Sequence, residues 1–187
     1  MFNAILKNPT NVKFESQEDD EIIYYVLRRH PIVTVWWILT SIFFLLLPIL
    51  IYIFRDTPII PQSWLLIIPI QYWLILLILW YMVVIFLAFE AFLLWYFNIY
   101  ILTDRRIVDI DFHGLWKKRI SEASLANVED ATYSTDNMLN IVFDYGDVYI
   151  QTAAEKPEFE FKAIPKPGEV HDKLTDLAEA YKRKYGR

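Results

Sequence analysis

The sequence has no cysteine among its 187 residues and only four glycines. Without cysteine, the chain can form neither disulfide bonds nor thiolate zinc sites, and thiol catalysis is excluded. Its four glycines form no phosphate-cradling loop and no dinucleotide-binding fingerprint. The motifs H-E-x-x-H and G-x-S-x-G of metalloproteases and hydrolases are also absent. We therefore expect a protein that is not an enzyme and that needs no cofactor.

Residues that could bind a metal or transfer protons form no obvious constellation. The three histidines (His30, His113 and His171) lie far apart in the sequence, so a shared metal site is not expected. Asp109 and Asp111 share one face of a predicted strand, and the simplest interpretation is a solvated sheet face. The net charge of −5 argues against nucleic acid as a partner, since binding to phosphates needs a basic surface. No small-molecule substrate is evident either.

Charge is almost absent from the middle of the chain. The charged residues of the region 32–101 are Arg55, Asp56 and Glu90. The uncharged run 32–54 would reach roughly 34 Å as a helix at about 1.5 Å per residue, enough to cross about 30 Å of hydrocarbon. We therefore predict a first transmembrane helix over 32–54, followed by a short external loop over 55–63.

The second apolar run extends over 64–97 and is longer than one perpendicular span requires. A carboxylate at the bilayer centre is costly, so we place Glu90 at the inner edge of the membrane. We therefore predict that 64–97 is a second transmembrane helix with a juxtamembrane extension. The span itself covers about 67–89, and 91–97 is the extension, a stiff joint to the following domain. The alternative interpretation of Glu90 is a proton or ion relay within the membrane.

Basic residues flank the two apolar runs more densely than they fill the connector between them. Arg28 and Arg29 precede the first run, and the connector has only Arg55. The basic residues that follow the second run most closely are Arg105, Arg106, Lys117, Lys118 and Arg119. Cytoplasmic loops carry an excess of Lys and Arg. We therefore expect a multi-pass protein of the cell membrane, with 1–31 and 98–187 both in the cytoplasm.

The N-terminal segment is polar up to the first span. Its acidic run, Glu18–Glu21, is interpreted as a solvated stretch. The following residues 21–29 could form an interfacial helix or an added strand, because their pattern does not decide between the two.

After the second run, the apolar period changes from helical spacing to two, which predicts strands. The predicted strands cover 96–102, 107–112, 117–121, 128–133, 139–143, 148–152 and 158–162. Asp144–Asp147 has the composition of a hairpin turn. The last segment has apolar residues at helical spacing, with acids in its first turn and bases in its last, which predicts an amphipathic helix. The fold class is a transmembrane helix hairpin followed by a mainly-β sandwich or barrel of about seven strands with a C-terminal helix.

Four short segments occur in a distinctive order along the chain. They are Arg28–Pro31, Tyr100–Ile107, Phe143–Val148 and Ile164–Pro167. Their order and spacing resemble bacterial pleckstrin-homology-like (PH-like) domains attached to paired membrane spans, over most of the chain from about Glu21 onward. The resemblance implies two bent sheets with a C-terminal helix, and it implies no enzymatic activity.

Two basic clusters are candidates for contact with anionic lipid. In eukaryotic PH domains, basic residues around the first hairpin hold phosphoinositide headgroups, and the resemblance places Arg105 and Arg106 at that hairpin. However, the first strand leaves the membrane directly, so about six residues at 3.3 Å carry this hairpin roughly 20 Å away. The next turn should return toward the membrane, and an aromatic residue beside three cations suits a headgroup layer. The predicted contact residues are Trp116, Lys117, Lys118 and Arg119. The alternative is a core position for Trp116 and a solvated edge strand for the three cations.

Two functions remain open from the sequence. The first is a membrane-anchored, non-catalytic PH-like module that binds a protein partner, a copy of itself or anionic lipid headgroups. The second is a small transporter or channel subunit with a regulatory PH-like domain, for which Glu90 is the one supporting feature. Two helices enclose no pore, so the second function would require an oligomer.

Overall fold

The computed structural model describes residues 4–9, 12–54, 69–114, 116–153 and 158–185. The side chains of residues 70, 71 and 113 are outside this description, as are the predicted external loop 55–63 and the first residues, 64–68, of the predicted second membrane segment. The chain divides into two compact units. One combines Met1–Val33 with Leu94–Arg187, and the other is Thr34–Leu93.

Two long apolar helices account for the second unit. Helix α1 is Thr34–Phe54, preceded by a 3₁₀ turn at Pro31–Val33, and helix α2 is Ile70–Phe97. Both are long and apolar enough to cross a membrane, and almost nothing in their apolar windows is buried within the protein. They are therefore two candidate membrane spans, which suggests membrane association.

Helix α2 continues without a break past Glu90 to Phe97. The predicted joint, 91–97, is therefore helical. Its last turn is fastened to residues that precede the first span: Trp95 Nε1 donates to the carbonyl of Arg29 at 2.9 Å, and the Arg28 guanidinium lies 4.4 Å from the centre of the Tyr96 ring. These contacts hold the last turn of helix α2 against the end of β2, within the same compact unit.

The other unit consists of two antiparallel sheets and two helices. The first sheet has the order β1 (Ile5–Lys7), β2 (Ile23–Arg28), β3 (Ile99–Thr103), β4 (Arg106–His113) and β5 (Lys117–Ser124). The second has the order β6 (Val128–Ser134), β7 (Tyr145–Thr152) and β8 (Glu158–Pro165). Helix α3 is Met138–Val142, and helix α4 is Pro167–Tyr185. Six of the predicted strands and the C-terminal helix are thereby confirmed. The first predicted strand, 96–102, starts too early, because Tyr96 and Phe97 belong to helix α2.

The predicted strand 139–143 is wrong, because these residues lie in the short helix α3 and the turn after it. The expected hairpin turn is instead the start of β7, which pairs Tyr145 with Pro165 and Gly146 with Ile164. Gly146 stands in a strand because the backbone of the neighbouring strand comes very close. A Cβ at this position would lie 2.3 Å from the carbonyl oxygen of Ser134. The glycine therefore marks a close approach and not a turn.

The N-terminal segment is part of the β unit. Of the two alternatives for 21–29, the structure has a strand: β2 lies between β1 and β3, and Arg28 is directly opposite Ile99. The compact unit therefore extends beyond the predicted range 98–187, which lacks two strands of its own sheet.

The core of this unit lies between the two sheets and under helix α4. Tyr100 and Phe161 stack at its centre with ring centroids 4.6 Å apart. The buried core residues come from both sheets and from helix α4. They include Leu27, Leu102, Ile150, Phe159 and Leu174. A second, smaller cluster on the outer face of the first sheet contains Ile23, Val26, Ile101 and Val108, with Val12 and Phe14 packed against it.

Two adjacent isoleucines, the last residue before β2 and the first residue of β2, test whether the N-terminal segment packs in the β unit. Ile23 is 5% exposed and Ile22 is 56% exposed. We expect Ile23→Ala to lower the free energy of unfolding by about 2–5 kcal/mol, because it leaves a cavity in the outer cluster. Ile22→Ala should cost less than about 1 kcal/mol. Urea unfolding of the full chain in mild detergent, followed by circular dichroism, measures both. Equal costs would contradict the assignment of β2 to the core.

Candidate functional site

The first sheet has two ends with different chemistry. Helix α2 ends at Phe97, and β3 begins two residues later, which defines the anchor end of the sheet. Strand β4 returns to this end. There, Asn98 Oδ1 accepts a hydrogen bond from the Phe112 backbone at 2.6 Å, and the Phe97 and Phe112 rings lie 5.5 Å apart. The turn from β4 to β5 therefore lies at the anchor end, and the Arg105 hairpin lies at the opposite, far end.

The β4–β5 turn presents an aromatic residue and three cations to the surroundings. Trp116 is 96% exposed, so the core alternative for this residue is wrong. Lys117, Lys118 and Arg119 are exposed on β5, which is an edge strand of the first sheet. Lys118 forms an ion pair with the exposed Glu15 at 3.5 Å. Exposed pairs of this kind contribute little stability. These four residues thus form one accessible surface, which we call the basic turn.

At the far end, Arg106 is held by carboxylates of the chain itself. Its Nε and one terminal nitrogen donate to the two oxygens of Glu21, each at 3.0 Å. The other terminal nitrogen donates to Glu122 at 2.9 Å. Thr103 adds a hydroxyl bond to Glu21 at 2.7 Å. Burial alone would lower the pKa of Arg106, but its hydrogen bonds to Glu21 and Glu122 outweigh this and raise it.

These contacts correct one expectation from the sequence. Glu21 is buried, whereas the acidic run 18–21 was expected to be solvated. Glu18 also faces the hairpin, where it forms ion pairs with both Arg105 and Arg106. The two arginines are thereby neutralised internally, which weakens the analogy with a phosphoinositide-binding hairpin.

A cleft of about 630 Å³ opens between the two sheets near the anchor end. Its charged lining residues are Arg29, Asp109, Asp111, Glu158, Glu160 and Lys162. Asp109 is buried, so the expectation that its strand face is solvated is wrong for this residue. Lys162 and Glu160 pair with each other at 2.9 Å. The hydroxyl among the lining residues belongs to Tyr100, and burial raises its pKa, so it stays protonated at neutral pH.

The remaining candidates stay apart in the structure. His30 stacks on Tyr145. His171, in helix α4, lies within hydrogen-bonding distance of the Asp172 carboxylate and the Ala131 carbonyl, each at 3.0 Å. Among the residues that the structure describes, no group of His, Asp and Glu side chains could hold a metal ion. Glu90 lies in helix α2, and its side chain is partly buried. In the described parts of the two apolar helices, no other charged side chain could contribute to a conduction path.

Comparison with known proteins gives a family. The profile described as "Bacterial PH domain" matches residues 31–178, which is well over half of the chain. A crystal structure of a DUF1696 family protein with a pleckstrin-homology domain from Shewanella loihica is similar at 12% identity and a TM-score of 0.35. That likeness covers 43% of this chain and 70% of the other. No curated protein matches the sequence.

The two arginines of the far end provide a matched test of the ion network. Arg106→Gln should lower the free energy of unfolding by about 3–5 kcal/mol, because it leaves the buried Glu21 carboxylate without its counter-ion. Arg105→Gln should change stability little, since this guanidinium is exposed. Both values come from urea unfolding in mild detergent. Adding Glu21→Gln to Arg106→Gln should recover part of the loss. A large loss from Arg105→Gln, or none from Arg106→Gln, would contradict this assignment.

Proposed function

We propose a function from one premise: this chain belongs to the bacterial PH domain family. The proposal is a membrane-anchored, non-catalytic interaction module. The two candidate membrane helices provide the anchor, and the β unit provides the binding surfaces. The excess of basic residues on both sides of the paired spans supports an orientation with both termini in the cytoplasm of a cell-membrane protein.

The observation that carries the proposal is the basic turn. Its aromatic side chain is almost fully exposed, and it lies at the end of the sheet where helix α2 joins. Aromatic rings favour the headgroup layer, and each basic residue near an anionic surface contributes about 1 kcal/mol. We propose that Trp116, Lys117 and Arg119 contact anionic headgroups. Arg105 and Arg106 are the weaker candidates, because carboxylates of the chain already bind them.

Lipid contact would orient the domain and not recruit it. Two membrane helices hold a chain far more firmly than a headgroup site could. This shifts the main binding role of the domain toward proteins, either a partner or a second copy of this chain. Strand β5 is suited to such a role, because it is an edge strand whose outer residues are exposed. An extended segment can add to such an edge through main-chain hydrogen bonds.

The test uses the absence of cysteine, which allows a single labelled cysteine at position 116 of the full chain. An environment-sensitive dye there should shift its emission to the blue in vesicles of phosphatidylcholine with phosphatidylglycerol. The shift should be smaller in phosphatidylcholine alone and should decrease as salt is raised. Adding Lys117→Gln and Arg119→Gln should remove the dependence on anionic lipid. Lys118 is left in place because it already pairs with Glu15.

The matched control removes one lysine and one arginine elsewhere, with Arg183→Gln and Lys184→Gln at the exposed end of helix α4. It changes the net charge equally and should leave the emission shift intact. Emission that is the same in both lipid mixtures would refute the headgroup contact. An equal loss in the control pair would show that net charge, and not the basic turn, is responsible.

A further inference from the structure

Helix α3 exposes an apolar surface that the structure leaves uncovered. Met138 is 82% exposed, Ile141 67% and Val142 68%, and Leu139 and Phe143 are also exposed. Helix α3 is too short to be stable by itself, and its residues belong to neither core cluster of the described chain. Five large apolar side chains within six residues form a patch that needs a partner. We call these residues, 138–143, the apolar knob.

The apolar knob lies close in the fold to His30, the residue that precedes the first candidate membrane span. The knob leads directly into β7, whose first residue, Tyr145, stacks on His30 with ring centroids 5.3 Å apart and nearly parallel planes. The backbone N–H of His30 also donates to the carbonyl of Ala163 at 2.6 Å. His30 directly precedes Pro31, the first residue of the first candidate membrane span. The last residue of the knob, Phe143, therefore lies two positions before Tyr145, whose ring packs on the residue that precedes the span.

We propose that the apolar knob inserts into the interfacial layer of the bilayer, beside the point where the chain enters its first span. Interfacial helices bury their apolar faces about 5–10 Å into the boundary between headgroups and acyl chains. A residue next to the start of a membrane span is at this level, so a patch fixed close to it by the His30–Tyr145 stack can reach the same layer. The knob thus extends an apolar surface that begins with the span itself.

The chemistry of the apolar knob separates it from the basic turn. Residues 138–143 contain no basic side chain, and acidic residues flank them at Asp136 and Asp144. Attraction to anionic headgroups therefore cannot drive its insertion, and burial of apolar surface must. Insertion of the knob should occur equally in neutral and anionic membranes and should not weaken with salt. The inference goes beyond the proposed headgroup contact, and either one can fail without the other.

The experiment places a single labelled cysteine in the full chain, at Ile141 in one variant and at Val142 in another. The dye is read in phosphatidylcholine vesicles that contain lipids with a quencher in the headgroup or at a shallow acyl position. We expect loss of fluorescence with the shallow lipid quencher and protection from aqueous iodide. Both effects should be unchanged by anionic lipid and by high salt. The control label is at Ala126, an exposed position in the connection from β5 to β6 at the far end of the first sheet. Iodide should quench this label, and the shallow lipid quencher should not.

Three results would overturn the proposal. Quenching by iodide at Ile141 and Val142 equal to that at Ala126 would show that the knob lies in water. Protection from both quenchers that disappears when the protein is diluted into excess lipid would assign the knob to contact between copies of this chain. Protection from both that survives dilution would assign it to a surface covered within one chain. Circular dichroism of each labelled variant verifies that the fold is intact, and the two label positions guard against a local effect of one dye.

Discussion

The pairing of β2 with β3 is the contact on which the rest of the structure depends. The chain leaves the sheet after Arg28, forms both apolar helices, and returns at Ile99 as the direct partner of Arg28. Paired strands lie about 4.8 Å apart, so the two connections to the helices are fixed side by side at one end of one sheet. The Trp95 bond to Arg29 secures them further.

This constraint gives the two ends of the first sheet different roles. At the far end, the Arg106 guanidinium is bound by the carboxylates of Glu21 and Glu122, which outnumber it. The anchor end keeps the aromatic residue and the three cations of the basic turn exposed. These side chains are accessible to a partner, whereas the Arg106 guanidinium is already bound by carboxylates of the chain. The analogy with phosphoinositide-binding hairpins points to the far end, where the structure has arginines paired with carboxylates.

Local sequence patterns predicted most of the helices and strands. The burial of Glu21 and the pairing of β2 depend on contacts between residues far apart in the sequence. Alternation along the chain was enough to predict β4 and β8, and helical spacing predicted α4. The burial of Glu21 could not be predicted in this way, because its partner Arg106 is 85 residues away and the contact depends on strand register. For the same reason the role of β2 was undecided: its partner β3 follows two intervening helices. The sequence did not predict the apolar knob, because Gly146 was interpreted as a turn residue. Gly146 lies instead within β7, where the backbone of Ser134 leaves no room for a side chain.

The two proposed membrane contacts would respond differently to their surroundings. Charges on the basic turn are screened over about 8 Å at physiological ionic strength, so its contact depends on lipid charge and salt. The apolar knob depends on buried area, which neither variable changes. The proposed insertion of the knob would therefore need no anionic lipid, whereas the proposed headgroup contact of the basic turn would strengthen where anionic lipid is dense.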